Sequence, residues 1–157
     1  MNRLRHPVLH WALGILLGGV FVYASLDKIE KPAEFARIVY HYQILGPDQR
    51  LGPLLPNLLA VTLPWAEATA GAFLIVGVWR REAALVTALL LLVFLFAVGW
   101  ALAHGVDVAN CGCFSVSGEG RRAGLSLLVE DGLLLVVALF LAAVAPRRAT
   151  AAPAGAH

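Results

Sequence analysis

Residues 83–103 read AALVTALLLLVFLFAVGWALA, twenty-one residues without a charge, bounded by Arg80-Arg81-Glu82 before and His104 after. About 20 apolar residues of helix cross the ~30 Å hydrocarbon core of a bilayer, so this stretch is long enough to span one. Three further blocks have the same character: roughly 8–26, 54–79 and 125–145. A helix buried in a soluble protein would account for any one of them. Four together in 157 residues leave too little polar sequence to cover them. The chain is 60% hydrophobic and 14% charged, against about 45–50% and roughly 25% for a soluble domain. The fold class that follows is all-α, an integral membrane four-helix bundle. One domain covers residues 1–148, and the low-complexity tail 149–157 is expected to be disordered. A net charge of +2 without a basic stripe excludes nucleic acid as a partner. The lipid bilayer is the partner this surface requires.

Arg3 and Arg5 ahead of the first block could also open a cleaved signal peptide. Cleavage would leave three spans and no secreted domain, so retention as an anchor is the better reading. Four spans put both termini on one side. The basic residues divide six against six, with Arg3, Arg5, Arg80, Arg81, Arg147 and Arg148 on the terminal side. Those six lie in three very short segments beside helix ends, whereas Lys28, Lys31, Arg37, Arg50, Arg121 and Arg122 are scattered through longer loops among acids. Density of positive charge marks the cytoplasmic side. The expected setting is a bacterial inner membrane, with both termini cytoplasmic and the loop between the last two spans periplasmic.

The connection after the first span is too long for a turn. Pro32 suits a helix start, and Phe35, Ile38, Val39 and Tyr42 recur on one helical face. This predicts a short amphipathic extracytoplasmic helix that rests on the membrane surface or caps the bundle. A version in which it covers the mouth of a site between helices is also open. The second connection, Arg80-Arg81-Glu82, reads as a tight hairpin.

The last loop holds the only two cysteines, Cys111 and Cys113, on either side of Gly112. In an oxidising compartment thiols become disulfides unless a reductant is supplied. A bond between them would close a very small ring, adding little stability through chain entropy. Strained, exposed disulfides are the ones that exchange. Two other readings stand beside redox work. Free cysteine often serves as a small buried apolar residue, and His104 with Asp107 could join the pair around a metal. Cys-x-Cys lacks the usual zinc spacing, so no metal is assigned.

Charged residues inside apolar blocks form the second group. Glu67 falls near the middle of the second span, Glu130 and Asp131 lie two turns into the fourth, and Asp27 and Lys28 end the first. A charge in hydrocarbon costs at least ~2.5–3.5 kcal/mol, so such groups face the bundle interior. Lys28, Glu67 and Asp131 can converge on the outer half of the bundle. Lys28 is then a candidate ion-pair partner of Asp131 or Glu67, as a structural clamp or as part of a working site. Glu130 points about 100° away from Asp131 around the helix, so both cannot face one partner.

The chain resembles the MauE family of the DoxX-like membrane proteins, named for a methylamine-utilisation protein. The resemblance covers roughly residues 14–144. It is carried by Ala24-Ser25-Leu26-Asp27-Lys28-Ile29 with Pro32 and Phe35, then Leu63-Pro64-Trp65-Ala66-Glu67 with Gly71. His104-Gly105, Asn110-Cys111-Gly112-Cys113-Phe114 and Asp131 complete it. Ser115 stands where the family usually has Gly, and Asn110 where it commonly has Asp. The resemblance implies a four-helix membrane bundle that supports maturation of a disulfide-rich periplasmic protein with a thioredoxin-like partner. Similarity to DoxX-type proteins adds quinone as a candidate electron sink.

The leading expectation is a membrane thiol–disulfide redox protein. Cys111 and Cys113 are its exchanging pair. Lys28 favours a thiolate electrostatically, and Glu67 or Asp131 relays a proton, with Asp27 and Glu130 as supporting charges. Its partner would be a thioredoxin-like periplasmic protein or a disulfide-containing client. The alternative is a non-catalytic membrane subunit or small transporter of a DoxX-like respiratory or sulfur-metabolising system. Quinone-coupled disulfide enzymes generally use two cysteine pairs, and this chain has one.

Overall fold

The structure, a computed structural model, describes residues 7–41, 54–105 and 125–145. Five helices follow in order: α1 Pro7–Glu30, α2 Pro32–His41, α3 Leu54–Val76, α4 Arg80–Ala103 and α5 Leu125–Val144. The architecture is all-helical. α1, α3, α4 and α5 are each long and apolar enough to cross a membrane, and α2 is a short helix between the first two spans. Large apolar side chains on their outer faces, among them Leu16, Leu58, Leu89, Phe96, Leu133 and Val136, are more than half exposed. That is the inverse of a soluble surface and the expected face toward lipid.

The bundle is built from two close pairs, α1 with α3 and α4 with α5, joined by α3–α4 and α1–α5 contacts. In α1 and α3 the glycines set the spacing. A Cβ on Gly18 would lie 2.5 Å from the Gly71 carbonyl oxygen, and one on Gly71 would lie 2.7 Å from that of Gly18. Gly14 approaches Leu74 in the same way, so the two helices run antiparallel, backbone against backbone. Val98 packs with Leu127 at one end of α4 and α5, and Ala84 and Ala88 cluster with Leu141 and Ala142 toward the other, which gives this pair the same antiparallel sense. Around Leu17, Phe21, Leu74, Ala84, Ala88, Leu91 and Leu141 the interior is apolar. The buried charged residues gather toward the other end, where α1 finishes and α2 sits.

Two boundaries differ from the sequence reading. The first span does not stop near Leu26 but continues as helix to Glu30. Its charged end is helical because Ser25 and Lys28 turn inward while Asp27 lies 3.8 Å from Lys31, one turn on. Pro32 then disfavours helical geometry at Lys31, which separates α1 from α2. The second difference is the hairpin between α3 and α4. It falls at residues 77–79, and Arg80-Arg81-Glu82 forms the first turn of α4. Gly77 takes a positive φ of 81°, which ends α3 early, and its N–H donates to the Phe73 carbonyl at 2.9 Å.

The amphipathic segment is α2. Phe35 is its buried residue, packed with Ala60 against Leu63, Ile38 and Val39. The helix is therefore fastened to the start of α3. Tyr42, the fourth member of the predicted stripe, lies outside the described residues, as does the tail 149–157.

Candidate functional site

Helical side chains lean toward the N-terminus of their own helix. α1 and α3 run in opposite directions, so Lys28 leans down into the bundle and Glu67 leans back toward it. Lys28 Nζ donates to both Glu67 Oε1 and Oε2 at 2.8 Å. The lysine is 0% exposed and the glutamate 1%. The rings of Phe94 on α4 and Phe35 on α2 stand with their centroids 4.8 and 5.4 Å from the ammonium. A cation at such a distance is attracted by the ring face. One side chain from α1 thus ties together α2, α3 and α4.

Asp131 on α5 is the next buried charge, 2% exposed, and its Oδ2 has no hydrogen-bond partner. It faces Glu67 across a cavity of about 20 Å³ whose other walls include Phe21, Leu91, Phe94 and Leu134. That volume is room for one water molecule. Of the two carboxylates weighed as partners for Lys28, the structure pairs Glu67 and leaves Asp131 across this cavity. Ser25, beside Ala24 of the same wall, is fully buried and donates to the Val22 carbonyl at 2.7 Å.

The remaining charged residues are arranged differently. Asp27 is on the surface side of α1 with Lys31, and Glu130 is half-buried on α5. Neither lines the cavity between Glu67 and Asp131. His104 is exposed at the end of α4, stacked on Trp100 with ring centroids 3.9 Å apart. Among the described residues no group of three or more His, Cys, Asp or Glu comes together. Cys111 and Cys113, the predicted exchanging pair, lie outside the described residues. The described ends that flank their segment, Gly105 and Leu125, are on the α2 side of the bundle by the antiparallel order of the helices.

Sequence reasoning missed Phe94 and Thr87. Phe94 sits in an uninterrupted apolar run, where nothing distinguishes it from the lipid-facing Phe96. Thr87 did carry a signal: it is the one hydroxyl in residues 83–103, and the structure buries it completely with Oγ1 unpartnered. At the opposite end from Lys28, a wide apolar groove of about 410 Å³ opens between α3 and α4 beside Trp65, Phe73 and Trp79. Its position on the outer face suits contact with lipid.

Comparison with known proteins gives a consistent assignment. The model of the family described as methylamine utilisation protein MauE matches residues 6–144. The methylamine utilization protein MauE of Paracoccus denitrificans is 36% identical over 136 residues, which cover 87% of this chain and 68% of that protein. That of Paracoccus versutus is 32% identical over 143 residues, 91% of this chain and 73% of the relative. The Methylophilus methylotrophus protein of the same name is 28% identical over 143 residues, 91% and 72%. No solved structure matches the chain.

Proposed function

The chain belongs to the methylamine utilisation protein MauE family, and from that membership we propose that it serves methylamine utilisation as a membrane thiol–disulfide exchange protein. One observation carries the chemistry: the only two cysteines of the chain stand one residue apart, at Cys111 and Cys113. In the proposed step a partner's thiolate attacks the Cys111–Cys113 disulfide, forming a mixed disulfide and releasing the other cysteine as a thiolate. A second thiolate of the partner then displaces the bound cysteine. The partner's pair leaves oxidised by two electrons, and Cys111 and Cys113 are left as thiols. The reverse sequence reduces a client's disulfide and re-forms the Cys111–Cys113 bond. The partner is a thioredoxin-like or disulfide-containing protein on the outer side of the membrane, with both termini of this chain in the cytoplasm.

Lys28 and Glu67 enter this reading as positioning residues. Each satisfies the other in the interior, and Phe35 covers the pair. Their contribution is to hold α1, α2 and α3 in fixed relation. This differs from the direct action of Lys28 on a thiolate expected from sequence, since its charge is engaged by Glu67.

The test is growth of a strain that lacks its own copy, on methylamine as sole nitrogen source. Cys111→Ser and Cys113→Ser are each expected to abolish complementation while the protein still accumulates in the membrane. Full growth with both cysteines replaced overturns the redox reading. Loss of growth confined to Lys28 and Glu67 variants would favour the second reading, a non-catalytic membrane subunit or small transporter. The observation behind that alternative is the buried ion pair, which suits a structural clamp equally well.

A further inference from the structure

Among the described residues, the bundle interior holds one fully buried cation, Lys28, and two buried carboxyl groups, Glu67 and Asp131. Both hydrogen bonds from the ammonium go to Glu67, and its remaining sides face the rings of Phe35 and Phe94. Asp131 therefore stands beside a satisfied pair, with Oδ2 buried and unpartnered. If both carboxyl groups were ionised, the interior would carry one uncompensated negative charge in a medium of low dielectric, a state that proteins avoid by taking up a proton or a counter-ion.

We infer that Asp131 is a proton-binding site, held as the neutral acid and joined to Glu67 through a single water in the cavity between them. The protonated carboxyl donates to the water, and the water donates to the Glu67 carboxylate, so each polar group gains a partner. The cavity, about 20 Å³, matches one water. A metal cation is disfavoured by the walls. Apart from the two carboxyl groups, the side chains there are apolar, including Phe21, Leu91, Phe94 and Leu134, whereas hard cations require six or more oxygen ligands. The charged groups around Asp131 are Lys28 from α1, Glu67 from α3 and Glu130 from its own helix; α4 contributes Leu91 and Phe94 to the cavity wall. One proton is thereby held inside the bundle, independently of what the cysteines do.

Infrared spectroscopy of the protein in phosphatidylcholine vesicles at neutral pH tests this through the carbonyl stretch of protonated carboxyl groups. The wild-type protein should show one such band that shifts in D2O, and Asp131→Asn should remove it. Glu67→Gln should also remove it, because Asp131 then ionises to pair with Lys28. Lys28→Met should enlarge it, since Glu67 then takes up a proton as well. A version with both cysteines replaced by serine should give the wild-type band, which separates this result from the fate of the redox reading. The inference is overturned if the band is absent from the wild type, survives Asp131→Asn, or falls as sodium, potassium or ammonium is added. The last outcome would identify a cation as the compensating charge. Asp131→Asn is nearly isosteric, so the test stands even where Lys28→Met does not fold.

Discussion

Lys28 of α1 and Glu67 of α3 meet in the interior of the helix bundle with Nζ 2.8 Å from each carboxylate oxygen and both side chains buried. Thirty-nine residues separate them in the chain, and antiparallel packing brings them together. Removing one partner from a buried pair leaves the other as an unpaired charge, at a cost of about 3–5 kcal/mol, whereas replacing both with apolar side chains is often neutral. Proton uptake by Glu67 in Lys28→Met, and ionisation of Asp131 toward Lys28 in Glu67→Met, relieve part of that cost. Each single variant is therefore expected to lower stability by less than about 3–5 kcal/mol, and Lys28→Met with Glu67→Met by less than either. Unfolding of the purified protein in mixed micelles, followed by circular dichroism, measures the cycle. Additive losses would show that the two residues do not act as a pair.

Close packing of α1 on α3 depends on two glycines. An alanine at Gly18 would set its Cβ 2.5 Å from the Gly71 carbonyl oxygen and 2.9 Å from Ile75 Cγ1. Backbone cannot rotate out of the way, so the helices must separate, with overpacking costs of about 1–3 kcal/mol. Gly19, one residue on, has nothing within 4 Å of an added Cβ. Gly18→Ala and Gly71→Ala should therefore lower the unfolding midpoint, and Gly19→Ala should leave it unchanged.

Phe35 fastens α2 over the ion pair, 3% exposed and 5.4 Å from Lys28 Nζ. Truncating a buried Phe to Ala costs about 3–5 kcal/mol in a soluble core, an upper bound for a short helix in which Phe35 is the one buried residue. Phe35→Ala should raise amide hydrogen exchange across residues 32–41 far more than across α4. Unchanged exchange in α2 would mean that the helix is held by other contacts.

The arrangement of arginines predicts orientation. Fluorescent-protein fusions at either terminus should be bright, because the fusion folds in the cytoplasm, and alkaline-phosphatase fusions after residue 113 should be active. The reverse pattern would turn the chain over and place the cysteines in a reducing compartment.

The four spans were legible from length and hydropathy, because a bilayer demands about 20 apolar residues per helix whatever the sequence around them. The buried charges were legible for the same reason: Lys28, Glu67 and Asp131 are conspicuous in apolar runs. Which of them pair was not, since the choice between Glu67 and Asp131 depends on helix rotation and on the direction in which each side chain leans. The early end assigned to α1 came from reading Asp27 and Lys28 as a boundary, when one faces outward to Lys31 and the other inward. The misplaced hairpin came from weighing the charges at residues 80–82 above the left-handed geometry that Gly77 permits. Phe94 was illegible because an apolar helix carries no local mark of which Phe faces a cation.

The proposed exchange chemistry is tested most directly by trapping. With Cys113 replaced by serine the internal disulfide cannot form. In the reverse direction of the exchange the Cys111 thiolate then attacks a partner's disulfide, and the mixed disulfide, with no second thiol of this chain to resolve it, should persist on a non-reducing gel of membranes from methylamine-grown cells. The expected result is a discrete adduct that collapses on reduction and contains a thioredoxin-like or disulfide-bearing partner, together with its absence from the variant lacking both cysteines. No adduct from either single-cysteine variant, in cells where both still support growth on methylamine, would contradict it.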